Sequence, residues 1–284
     1  MESIVKNNFK DHMPPWLSFP PLVEQKWDSC LQVWEGHSKT VQSIAFSHDS
    51  TLVASASLDG TIRIWLASTG NCLQDIKGHS GTVSYINFSP DSSLLLSIST
   101  DYSIRIWRPE TGDCVRTLRS YTSDPDDTQR DYIEDCTSAA FSHNGRFVVS
   151  GHQDNTVRIW NVDTGECMRQ LLGHKKRVQS VVFSHDSTLV ASVSRDKTAR
   201  IWNTDSGACK YVLRHAKNSP YKVFFRHDSK LLASFSTGNF VRFWQVDTGS
   251  CERIIQLESN DIDFWISDLS QDWNYILSHS PDKI

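Results

Sequence analysis

An all-β fold made of repeated four-stranded sheets is what this chain predicts, on three observations. Phenylalanines at Phe46, Phe88, Phe141, Phe183 and Phe225 step by 42, 53, 42 and 42 residues. Tryptophans at Trp65, Trp107, Trp160, Trp202 and Trp244 keep the same steps, with the same single excess of 11 residues. Six of the seven cysteines, Cys30, Cys72, Cys114, Cys167, Cys209 and Cys251, step by 42, 42, 53, 42 and 42. A fixed period of this length marks stacked or radial repeats. One such sheet cannot bury both of its faces alone, whereas sheets set around an axis cover one another. The expected architecture is a β-propeller of five complete four-stranded blades plus an incomplete sixth.

The elements follow in order. Residues 1–29 belong to no repeat and read as an N-terminal linker, and residues 30–284 as the propeller. Residues 4–9 read as the end of a short helix. Pro14, Pro15, Pro20 and Pro21 make the next stretch extended. Trp16, Phe19 and Trp27 are apolar enough to pack on a surface. The first repeat places strands at 30–33, 40–47, 52–57 and 61–67, separated by turn clusters at 47–50, 59–60 and 68–71. The third long strand reads TIRIW, SIRIW, TVRIW, TARIW and FVRFW in successive copies. Its β-branched residues suit a strand buried on both faces. The 11-residue excess falls in an acidic insertion, residues 119–135, which carries Asp124, Asp126, Asp127 and Asp131. A sixth copy starts at Asp261, and its tryptophan would fall beyond Ile284.

Bulk properties exclude several classes. The 284 residues carry 29 basic and 33 acidic side chains, a formal net charge of −4. That balance gives no global pull toward nucleic acid or membrane. No apolar run reaches the roughly 18 residues of a membrane span, and the N-terminus lacks the apolar core of a signal peptide. Cysteines copied at one repeat position have no reason to lie within disulfide distance. They read as reduced, buried structural thiols of a cytoplasmic protein. No CxxC pair, HExxH, GxxxxGK or GxGxxG is present, so neither a metal nor a cofactor is expected.

Ser, His and Asp recur together in the better copies, as in the fourth with His174, Ser192 or Ser194, and Asp196. A hydrolase would need one exposed serine at an oxyanion hole, and no GxSxG elbow is present. Several copies of the set point to architecture, and no catalytic residue is assigned. His48, His143, His185 and His227 each follow a repeat phenylalanine by two and read as turn residues. Arg63, Arg105, Arg158, Arg200 and Arg242 each precede a repeat tryptophan by two and read as stems packed between blades, each meeting an acid. Lys175, Lys176 and Arg177 follow His174, and Arg195 and Lys197 flank Asp196, concentrating five cations in one copy.

Gly-His, about 20 residues, Asp, then Trp six residues later resembles the WD-repeat pattern. His37, Asp59 and Trp65 show it, as do His79, Asp101 and Trp107, and His174, Asp196 and Trp202. The third copy keeps Asp154 and Trp160 without the Gly-His. The fifth has Gly238 in place of Asp, and His215 one place early. The resemblance implies that His, Ser, Asp and Trp form a buried hydrogen-bond network, and that the His and Asp loops share one face. The regular 42-residue copies and the stretch PLVEQKWDSCLQVWEGH are similar to the C-terminal sensor propeller of fungal NACHT-type NOD-like receptors. That resemblance implies a propeller-only relative, a truncated copy or a gene-model fragment. It implies a non-catalytic protein-interaction or ligand-sensing scaffold, with protein partners on the His/Asp-loop face, while the incomplete sixth copy leaves strand edges open to self-association. The rival readings are a constitutive WD-repeat adaptor, of the mitochondrial fission type, and a hydrolase with its site at the insertion.

Overall fold

The computed structural model describes residues 32–118 and 136–256, together with the backbone of two strands at Trp265–Leu269 and Ile276–His279. The chain divides into two compact units, Met1–Glu35 and Gly36–Ile284. The linker, Cys30 and the acidic insertion lie outside the described residues.

The second unit contains five four-stranded antiparallel sheets. The first holds β1 (Val41–Phe46), β2 (Leu52–Ser57), β3 (Thr61–Leu66) and β4 (Cys72–Lys77). The second holds β5 (Val83–Phe88), β6 (Leu95–Ser99), β7 (Ile104–Trp107) and β8 (Cys114–Leu118). The third holds β9 (Cys136–Phe141), β10 (Phe147–His152), β11 (Val157–Asn161) and β12 (Cys167–Leu171). The fourth holds β13 (Val178–Phe183), β14 (Leu189–Ser194), β15 (Thr198–Asn203) and β16 (Cys209–Arg214). The fifth holds β17 (Pro220–Phe225), β18 (Leu231–Ser236), β19 (Phe240–Gln245) and β20 (Cys251–Gln256). A two-stranded sheet of β21 (Trp265–Leu269) and β22 (Ile276–His279) follows. Each sheet runs up and down in chain order, because every connection is a short turn. The predicted strand at 30–33 differs: residues 32 and 33, its described part, are not in a strand.

Burial grades across each sheet. The second strand is almost wholly buried in every copy, as in LVASVS of β14, while the fourth is mostly exposed. The cysteines head the fourth strands, so Cys72, Cys114, Cys167, Cys209 and Cys251 are exposed free thiols. This overturns the buried thiols expected from sequence. Each sits opposite a repeat tryptophan, and in every sheet the register shifts just before that pair. The Sγ turns toward a carbonyl two residues on, as Cys72 does toward Gln74 O at 3.3 Å.

The packing between sheets explains the two rhythms. Phe88 and Trp107 of the second sheet pack against Ala54, Ile62, Ile64 and Ile76 of the first. Phe141 and Trp160 do the same to the second sheet, and Phe183 and Trp202 to the third. Phe225 and Trp244 join the core with the fourth. Each repeat's Phe and Trp are therefore its contribution to the core shared with the preceding sheet. Burying a side chain of this size is worth about 2–3 kcal/mol, which is what makes the period visible in sequence. In the first sheet Ile44 is 65% exposed and Phe46 61%, whereas Trp65 is buried.

Candidate functional site

In the fourth sheet a chain of hydrogen bonds runs from the core to the rim. The Trp202 indole N–H donates to Ser192 Oγ at 2.8 Å. Ser192 Oγ lies 2.8 Å from His174 Nε2, and His174 Nδ1 lies 2.9 Å from Asp196 Oδ2. A carboxylate only accepts, so Nδ1 carries the imidazole proton and Nε2 accepts from the serine hydroxyl. The same order joins Trp65, Ser55, His37 and Asp59, and Trp107, Ser97, His79 and Asp101.

The structure also separates Ser192 from Ser194. They lie on the same side of β14, but Ser192 meets the tryptophan, whereas Ser194 Oγ donates to Lys176 O at 2.6 Å. Ser192 is fully buried and its oxygen receives the indole N–H. The arrangement ties three segments of one sheet together.

The carboxyls of Asp59, Asp101 and Asp196 sit well below the usual range. Burial opposes their ionisation but is outweighed by accepted hydrogen bonds. For Asp196 these come from His174, Thr198 and the Lys175 N–H. For Asp101 they come chiefly from Ser103 and His79. Burial also holds the His79 imidazole below its ordinary value, against the pull of Asp101.

The two irregular copies rebuild the chain differently. In the third, Trp160 donates to Ser150 Oγ at 2.7 Å, and the histidine beyond it is His152, from the same strand as the serine. Asp154 meets Arg158 at 2.7 Å. A histidine two residues after the serine is the signal that could have found it. In the fifth, Trp244 donates to Ser234 Oγ at 2.8 Å, which lies 3.2 Å from His215 Nε2. The other ring nitrogen faces the Arg242 guanidinium at 3.2 Å, since Gly238 offers no carboxylate. Arg242 only donates, so Nδ1 accepts and Nε2 carries the proton, the reverse of the fourth sheet. Burial first, and Arg242 second, push the His215 imidazole down to about 3.

Of the repeat arginines, Arg63, Arg105 and Arg158 each meet an acid of their own sheet, as the sequence predicts. Arg63, Arg105 and Arg200 each lie 5.6–5.9 Å over the ring of the tryptophan two residues on. Arg63 meets Asp75 at 3.4 Å, and Arg200 donates to Gly173 O at 2.8 Å. The arginine must reach over the ring, and the side chain of a residue before the histidine would occupy that space. A Cβ on Gly78 would lie 2.6 Å from the Trp107 ring, and one on Gly173 2.5 Å from Arg200 Nη1. The Gly of Gly-His is thus a packing requirement.

The basic loops of the fourth sheet hang on this network. The Lys175 N–H donates to Asp196 Oδ2 at 2.9 Å, and the Arg195 N–H to Arg177 O at 3.2 Å. Lys175, Lys176, Arg195 and Lys197 are exposed and Arg177 is half-buried. Two further cations, missed in sequence, join them. The His215 N–H donates to Lys197 O at 2.9 Å, which brings the exposed Arg214 and Lys217 alongside. Asp124, Asp126, Asp127 and Asp131 lie outside the described residues.

The model of the family described as WD domain, G-beta repeat, matches residues 28–65, 70–108, 112–161 and 165–203. This chain belongs to the WD-repeat family. WD-repeat proteins serve generally as non-catalytic scaffolds for protein interaction. The vegetative incompatibility protein HET-E-1 of Podospora anserina is 45% identical over 69 residues, 24% of this chain and 5% of that protein. The WD repeat-containing protein pop2 of Schizosaccharomyces pombe is 51% identical over 37 residues, 13% of this chain and 5% of that protein. Human striatin-3 is 32% identical over 47 residues, 16% of this chain and 6% of that protein. The chain therefore spans a small fraction of the relatives it matches. No helix among the described residues is long and apolar enough to cross a membrane.

Proposed function

We propose that this WD-repeat chain is a ligand-sensing or protein-interaction scaffold, comparable to the sensor region of a fungal NOD-like receptor, and that it captures an acidic protein segment on its His/Asp-loop face. The likeness to a vegetative incompatibility protein supports the receptor reading. The observation that carries the surface is the run of cations on the loops of the fourth sheet and its junction with the fifth. Lys175, Lys176, Arg177, Arg195, Lys197, Arg214 and Lys217 stand on loops whose backbones are bonded to one another and to Asp196. The Asp196 carboxylate is already taken up by His174, Thr198 and Lys175. A fixed cluster of one sign steers encounter with the opposite sign and fixes register.

The test uses a glutamate-rich peptide and, separately, a peptide of residues 119–135 as probes. Fluorescence anisotropy is read at low and physiological salt. Reversal of Lys175, Lys176 and Arg177 to Glu is expected to weaken capture of the glutamate-rich peptide at least tenfold and to flatten its salt dependence. Thermal unfolding should be unchanged, because these side chains are largely exposed. Binding that is indifferent to the reversal would refute the surface. Preferential capture of the 119–135 peptide would assign the patch to the chain's own insertion.

A further inference from the structure

The turn histidines carry a second feature, at the end of the sheets opposite the basic loops. Strands alternate in direction within a sheet, so the turn after each first strand lies at the other end from the Asp turn. On these turns the imidazoles of His143 and His185 stack with ring centroids 3.9 Å apart and planes at 47°. His185 and His227 repeat the arrangement at 3.9 Å and 38°. One column of three rings therefore crosses the third, fourth and fifth sheets. His48 occupies the same place in the first sheet and is close enough to act on His143 electrostatically.

The turns are fixed by bonds from one sheet to the next. The His48 N–H donates to Ser92 Oγ at 2.9 Å, the Asn144 N–H to Ser187 Oγ at 3.2 Å, and the His185 N–H to Ser229 Oγ at 3.0 Å. Ser92, Ser187 and Ser229 all have positive φ, near 60°, which presents the hydroxyl to the neighbouring turn. The corresponding link between the second and third sheets is absent from the sequence on both sides. Pro90 has no N–H to give, and Gly145 has no side chain to receive it. The column begins just after that break.

Two ligand chemistries can be weighed. Among the described residues no three His, Cys, Asp or Glu side chains could hold a metal ion, and these rings lie tilted against one another at 47° and 38°. Charge points elsewhere. The first-to-second-strand turns of the five sheets carry Asp49, Asp91, Asp186 and Asp228 against Arg146, Arg226 and Lys230. With neutral histidines the sum is 3 − 4 = −1, and with four protonated histidines it is −1 + 4 = +3. Histidine is the side chain whose ordinary pKa lies between pH 5 and 8, and burial first, then the neighbouring imidazoles, hold His143 and His185 below it. Stacked rings this close repel one another once charged, so a counter-anion favours their protonation. The local acids are already engaged: Asp186 accepts from Ser184 and Thr188, and Asp228 pairs with Arg226.

We propose that the His143–His185–His227 column is a proton-gated oxyanion site, closed at neutral pH and binding a doubly charged ion of sulfate or phosphate size on acidification. His185 touches both neighbours and is the central element. The groups facing the column are His48, Asp186 and the Ser184 backbone, with Asn144, Arg146, Arg226, Asp228 and Lys230 on the same turns.

Sulfate is the probe, because its charge does not change in this range. Calorimetric titration at constant ionic strength is expected to show binding at least tenfold tighter at pH 5.5 than at pH 7.5. Imidazole NMR signals of the column should move on sulfate addition at the lower pH only. In His185→Gln the ratio should fall below about threefold, while the unfolding temperature at pH 7.5 stays that of the parent. Sulfate affinity independent of pH, or an equal pH ratio in His185→Gln and the parent, would overturn the proposal. The basic loops serve as an internal control: the charge reversal of Lys175, Lys176 and Arg177 should leave the pH ratio untouched. Loss of the ratio in that variant would move the ion to the other face.

Discussion

His215 should make the fifth sheet more acid-sensitive than the sheets whose histidine pairs with a carboxylate. Its ring is 2% exposed, its Nδ1 accepts from Arg242, and its pKa is pushed down to about 3. In the unfolded chain it returns to about 6.5. The folded form thus binds fewer protons than the unfolded one between those values, and stability falls as pH falls. The contribution is fully present above pH 6.5 and is lost progressively down toward pH 3. At pH 4.5 the unfolded state has gained nearly a full proton and the folded state almost none. Two pH units at about 1.4 kcal/mol each give a loss of about 3 kcal/mol. The carboxylates of Asp59, Asp101 and Asp196 do not contribute in this window. Their depressed pKa values confer stability that is present above about pH 3.8 and lost only below it.

The assay is denaturant unfolding of the parent and of His215→Gln at pH 7.0 and 4.5, with hydrogen exchange in β17–β20 as the local readout. Glutamine can accept from Arg242 without titrating, so the variant is expected to be less stable at pH 7.0 but flatter with pH. The parent should lose about 3 kcal/mol more than the variant between the two conditions. Equal losses in parent and variant would show that His215 is not held neutral by burial and Arg242. Exchange that accelerates first in the fourth sheet would refute the assignment to the fifth.

Two further outcomes follow from the same geometry. His174→Ala leaves Ser192 and Asp196 without their shared partner and should cost about 1–3 kcal/mol in chemical denaturation, with no change in the far-UV spectrum. Gly78→Ala places a methyl 2.6 Å from the Trp107 ring and should cost about 1–3 kcal/mol, read as a lowered unfolding temperature with a changed Trp fluorescence maximum.

Much of the fold was legible because the repeat rests on large buried side chains. Phe183 and Trp202 each face the sheet before them, so neither can be exchanged for a small or polar residue without leaving a hole. The cysteines keep the same rhythm yet lie exposed, since periodicity reports a repeat position and not its burial. At the head of a fourth strand that position is on the rim. Ser192 and Ser194 could not be told apart either. Residues two apart on a strand point to one side, and only distance to the indole decides between them. The histidine column was invisible for a different reason. Its members are 42 residues apart in sequence, and their contact depends on how neighbouring turns are bonded, through Ser187 and Ser229.

The irregular copies show which end of the hydrogen-bond chain the fold requires. In all five sheets the indole N–H meets a serine oxygen at 2.7–2.8 Å, and that serine meets a histidine nitrogen at 2.7–3.2 Å. The far end varies, Asp in three copies and Arg242 in the fifth, and in the third the histidine itself comes from the second strand. An indole N–H sealed in the core has no solvent to turn to, and leaving it unpaired costs about 1–3 kcal/mol. The imidazole's other nitrogen lies nearer the rim, where a carboxylate or a guanidinium can satisfy it by choosing the tautomer. Requirement therefore weakens from the core outward within each sheet. The loops beyond Asp196 are the first positions where side-chain chemistry is not dictated by packing. It is there, at Lys175 to Arg177 and Arg195 to Lys197, that the fourth copy departs most in charge from the first, which reads Ser38-Lys39-Thr40 and Leu58-Gly60 at the same places.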